Sequence, residues 1–252
     1  MGAPPFTPPP SFLDTIKSLW RYALRPTPLK REHNVVEVKL PLLFQILLIE
    51  LVVLILVLVQ LSFVYEKLGY QIQERVRLQA LVADTPFVLM FVTLVIMAPL
   101  KEELIFRLPL VWSGGYLIVA LTVFLFHYGP VLSNLVDASL TQIVVALLLI
   151  AIASIAFLAS AKFKAAVYHL WKNHFGLVSY SFVAFFAAMH LLNFQQLKLP
   201  LFIMPLLVLP QFIGGIFLSY TRLRLGFGWA VAQHMFNNAV ALLLLYGYLT
   251  SY

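Results

Sequence analysis

Glu102-Glu103-Leu104-Ile105-Phe106-Arg107 sets two carboxylates side by side and a guanidinium four residues beyond the second. On a helix Glu103 and Arg107 share a face, at the i, i+4 spacing where an acid and an arginine pair, while Glu102 points about 100° away. The pattern divides labour: one carboxylate is held ionised, and the other is left to face a cavity, as a general base must. His190 sits in an otherwise charge-free run after Ala184, Ala187 and Ala188, small residues that let helices approach closely. His234 and Asn238 stand one turn apart on one face, and two polar groups so placed make a site more plausible than either alone. The plainer readings are a charged cap where a helix leaves the membrane, for the first motif, and a satisfied packing histidine for His190.

The elements that position these groups follow from composition. Of 252 residues 62% are hydrophobic and 11% charged, and the mean hydropathy of +0.94 does not describe a water-soluble chain. Seven windows are long or apolar enough to be spanning candidates, at about 40–64, 85–100, 111–128, 138–161, 175–194, 199–220 and 226–249, and all but the first lack Asp, Glu, Lys and Arg. The expected fold is therefore all-α, a polytopic transmembrane helical bundle of seven spans, or eight if 68–83 forms an extra helix. The absence of cysteine removes disulfides, thiol nucleophiles and cysteine metal ligands together, which leaves Ser, Thr or water as nucleophile.

The net charge of +7 would suggest nucleic acid in a soluble protein, but its distribution suggests a lipid bilayer instead. Across the alternating connections the 17 basic residues divide 13 to 4, which places the N-terminus in the cytoplasm and the chain in a bacterial-type plasma membrane, with no nucleic-acid partner. Three segments result: a disordered leader and basic amphipathic cytoplasmic segment over 1–39, a first transmembrane helix and connection over 40–84, and the core over 85–249. Within 12–39, basic and apolar positions alternate in a way that suits a helix on an anionic surface. Glu50, near the middle of the first span, reads as a structural residue outside the site, protonated or paired across helices. His127, His169 and His174 read as interfacial residues.

Taken in order, the three motifs resemble the CPBP family of intramembrane proteases, the group of the type II CAAX prenyl endopeptidases and the bacterial Abi proteins. The resemblance rests on Glu102, Glu103 and Arg107, on Phe186 and His190, and on His234 and Asn238, supported by Phe106, His190-Leu191-Leu192-Asn193 and Gly226-Phe227-Gly228-Trp229; it covers about residues 85 to 245. It implies hydrolysis of a peptide bond in a membrane-associated peptide or protein by an activated water. Glu102 would be general base with His190, Glu103 and Arg107 would hold the helix and its charge, and His234 and Asn238 would donate to the oxyanion. A competing account makes Glu102, His190 and His234 a zinc site with water in the fourth position. Two departures mark an enlarged branch: Leu108 follows the motif arginine where many members have Gly, and 88 residues with two apolar windows separate Glu102 from His190. A catalytically silent scaffold or immunity protein would keep the same fold. A transporter would place Glu50, Glu102 and His190 together in a wet cavity.

Overall fold

The computed structural model describes residues 9–69, 85–135, 139–194 and 200–250, and among them every regular element is a helix. Helix α1, Phe12–Leu24, starts where the Ser11 side chain accepts the Asp14 N–H, and it buries Thr15, Leu19 and Tyr22. It stops well short of residue 39, because the residues before Pro26 and Pro28 are pushed out of the helical region. An extended stretch follows, and the first long apolar helix begins at Val35, with a π-helical turn over Val35–Lys39 leading into α2, Leu40–Lys67. The extra helix expected at 68–83 falls almost wholly outside the described residues.

The next helix runs from Phe87 to Phe106 in one piece, through Phe87–Met90, a π-helical segment Phe91–Met97, and α3, Ala98–Phe106. The helix does not continue past Phe106. Pro109 disfavours the helical conformation at Leu108, and the chain tightens into a 3₁₀ turn over Leu108–Leu110. The last carbonyls of α3 are taken by a cation, the buried Arg222, whose Nε and Nη2 donate to the oxygens of Arg107 and Leu108 at 3.0 and 3.3 Å. The remaining helices are α4, Gly114–Leu135; α5, Leu140–Ala159; α6, Ala161–Asn173; α7, Phe175–Met189; α8, Leu209–Arg224; and α9, Phe227–Thr250.

By length and composition, two described helices can cross a membrane: Val35–Lys67 and Phe175–Asn193. A third is added if Leu201–Leu207 and Leu209–Arg224, bent by 45° at their break, form one span. That is fewer than the seven or eight expected from apolar windows. The windows ignored what interrupts or borders them: Lys101, Glu102 and Glu103 close the helix that starts at Phe87, and Gln233, His234, Asn237 and Asn238 lower the hydropathy of α9.

Helix α8 is the hub of the bundle and packs against α7, α9, α2 and α1. Its Gly214-Gly215 pair is the reason α2, α7 and α3 come so close to it. A Cβ on Gly214 would stand 3.7 Å from Glu50 Oε1, and one on Gly215 would stand 3.1 to 3.3 Å from Val183, Arg107 and Phe186. Gly215→Ala is therefore expected to lower stability by about 1–2 kcal/mol despite alanine's better helix propensity, since overpacking exceeds that gain. Thermal unfolding of the detergent-solubilised protein checks this, with Gly228→Ala, where a Cβ meets nothing within 4 Å, as the neutral control.

One core joins the N-terminal helices to the rest. Leu19 and Tyr22 of α1 and Leu42 and Ile46 of α2 pack with Leu110, Trp171, Phe175, Phe217 and Tyr220.

Candidate active site

The ion pair expected from the i, i+4 spacing is present: Arg107 Nη1 lies 3.5 Å from Glu103 Oε1, and both side chains are fully buried. The Arg107 guanidinium also lies flat against Phe186, 3.8 Å from the ring centroid, a cation–π contact that only the bare Gly215 allows. No guanidinium nitrogen has a hydrogen-bond partner among the described residues, so one long ion pair and the rings of Phe186 and, at 5.9 Å, Phe106 hold this charge.

His234 joins the two carboxylates. Its Nδ1 is 3.0 Å from Glu103 Oε1 and its Nε2 is 3.5 Å from Glu102 Oε2. Glu103 thus serves Arg107 and His234 with the same oxygen. Glu102 Oε2 is buried and has no hydrogen-bond partner among the described residues, and Glu102 lines a cavity of about 690 Å³.

His190 reaches the same cavity from the end of α7. That helix ends at Met189, and His190 opens a 3₁₀ turn, His190–Asn193. Its Nδ1 lies 2.8 Å from the Phe186 carbonyl. A carbonyl only accepts, so Nδ1 carries a proton, and when the ring is neutral Nε2 keeps its lone pair. Asn238 also lines the cavity, and its Nδ2 donates to Leu94 O at 2.8 Å. The π-helical register explains that bond. Ala98 N bonds back to Thr93 O, so the next donor in line, for Leu94 O, would be residue 99, which is proline and has none. Asn238 fills the gap with one amide hydrogen and keeps the other.

Of the six expected site residues, Glu102, His190, His234 and Asn238 line one cavity, while Glu103 and Arg107 lie behind it as an ion-paired support. Glu50 is not outside the site: it lies on the cavity wall and accepts from Gln233 Nε2 at 2.8 Å. Gln233 was missed, although it precedes His234 directly. His127 also faces the cavity, with Lys101 Nζ 3.3 Å from its Nδ1. The signal for Glu50 was its position in mid-span, where a carboxyl must find polar company.

The zinc account requires Glu102, His190 and His234 to converge within bonding distance of one ion. Among the described residues no three His, Asp or Glu side chains form such a group. No protein-family profile matches the chain, and neither a curated protein nor a solved structure does.

Proposed function

We propose that this chain is an intramembrane endopeptidase that hydrolyses a peptide bond of a membrane-associated peptide or protein, using a water activated by Glu102 and His190. The observation that carries the reading is Glu102 Oε2, a buried acceptor with no hydrogen-bond partner among the described residues and His234 Nε2 3.5 Å away, on the wall of a cavity that also takes His190. A buried acceptor of this kind needs a hydrogen-bond donor, and the cavity is large enough to hold water and an extended peptide segment.

In this reading Glu102 takes a proton from the water while the oxygen bonds to the scissile carbonyl carbon, with the His190 Nε2 lone pair orienting the second O–H. The carboxyl then returns the proton to the departing amine nitrogen as the C–N bond breaks. The Asn238 hydrogen not spent on Leu94 is a fixed donor for the oxyanion. His234 can donate from Nε2 only with both nitrogens protonated, because Glu103 already accepts from Nδ1. The carboxylates on either side are the counter-charges that such an imidazolium needs. The motif order supports membership of a CPBP-like branch with an enlarged middle. The position of Glu50 beside Glu102 and His190 favours a transporter as second reading, which predicts solute uptake abolished by Glu50→Gln.

Terminal-peptide mass spectrometry on membranes containing the wild type or Glu102→Gln tests the protease reading. New termini are expected only with the wild type, and identical termini in both would overturn it. The cleavage is expected to survive dialysis against a chelator. Loss on chelation, with recovery on stoichiometric zinc, would assign the same residues to a metal.

A further inference from the structure

Helix α1 has three sides, and only one faces the protein. Thr15, Leu19 and Tyr22 are buried against the bundle, and polar bonds fix their depth: Tyr22 Oη to Ser179 Oγ at 3.0 Å, Tyr220 Oη to Ser18 Oγ at 2.9 Å, and Thr15 Oγ1 to Gln45 Oε1 at 2.6 Å. These partners lie in the early turns of α7 and α2 and the last turns of α8, so α1 crosses one end of the bundle. Phe12, Ile16, Trp20 and Leu24 recur every four residues on a second side, and Trp20 and Leu24 are 66% and 64% exposed. One residue further round, Lys17, Arg21 and Arg25 form a third side, all exposed and, among the described residues, without an ion-pair partner.

We propose that the outer sides of α1 bind an anionic phospholipid surface, with Trp20 and Leu24 at the headgroup–acyl boundary and Lys17, Arg21 and Arg25 on lipid phosphates. An apolar stripe edged by basic residues is the composition of helices that lie in that boundary. Snorkelling lysine and arginine stems allow both sides to be satisfied at once. A second copy of the chain fits the stripe poorly, because two such helices face to face would bring three cations against three. The inference is independent of the proteolytic reading.

Because the sequence has no cysteine, Trp20→Cys gives the full-length protein a single attachment site for a nitroxide. In nanodiscs of phosphatidylcholine mixed with phosphatidylglycerol, the nitroxide is expected to collide more with oxygen than with a water-soluble nickel chelate. In mixed micelles, the half-saturating mole fraction of phosphatidylglycerol for the same probe is expected to rise roughly fivefold for each of Lys17→Gln, Arg21→Gln and Arg25→Gln. A nitroxide that stays open to the nickel chelate and does not respond to phosphatidylglycerol would overturn the proposal. So would dipolar broadening between two labelled copies, which would identify a protein partner on this face.

Discussion

Glu102→Gln is expected to reduce peptide hydrolysis by about 10²–10⁴-fold, the range a positioned general base contributes, with little change in the unfolding temperature. Glutamine keeps the size of the side chain and an acceptor oxygen, so the cavity keeps its shape, while proton uptake and one of the two counter-charges beside His234 are lost. Among the described residues Glu102 Oε2 makes no hydrogen bond, so replacing its ionisable oxygen breaks none. His190→Ala is expected to fall in the same range, and Glu102→Gln with His190→Ala to fall no further than either alone, because the two groups act on one water. Cleavage measured on a substrate identified by terminal-peptide mass spectrometry reads all three variants. Multiplicative losses would mean that His190 acts in a separate step, and unchanged cleavage in Glu102→Gln would favour the silent scaffold.

What the sequence revealed, and what it hid, separates by distance along the chain. The Glu103–Arg107 pair was legible because helical periodicity alone puts both on one face, and the same periodicity turned Glu102 away from them. Glu50 was legible as a mid-span carboxyl in need of polar company, but its partner was not, because Gln233 is 183 residues away and no local pattern connects them. Gly214 and Gly215 carry no chemistry of their own, and their role appears only when Glu50 and Arg107 are seen filling the space beside them. Asn238 was readable as polar and one turn from His234. Its bond to Leu94 depends on a π-helical register and on Pro99 in another helix, a coincidence of three segments. The amphipathic N-terminus was visible in composition, yet its buried side, which docks on α7 and α8 through Tyr22 and Ser18, required tertiary partners to be known. Apolar windows located the helices well, but they overstated how many are uninterrupted enough to pass as spans.

Arg107→Met is expected to destabilise the fold by about 3–5 kcal/mol, the cost of breaking a buried ion pair by removing one partner. The asymmetry follows from what remains. Glu103 is fully buried, one of its oxygens has no partner, and the other would keep only His234. Methionine fills the slot between Gly215 and Phe186 with comparable bulk, so lost packing adds little to the electrostatic term. If uncompensated charge is the cause, Glu103→Gln on the Arg107→Met background should recover much of the loss, because a neutral amide no longer needs a cation. Stability and catalysis should then part company: the double variant regains its unfolding temperature but not its cleavage, since His234 has lost the carboxylate that orients Nδ1 and balances its charge. Chemical or thermal unfolding in detergent, set beside cleavage for the two single variants and the double variant, tests both halves. Equal destabilisation by the double variant and by Arg107→Met would show that the guanidinium supports the fold through its contact with Phe186 and not through Glu103.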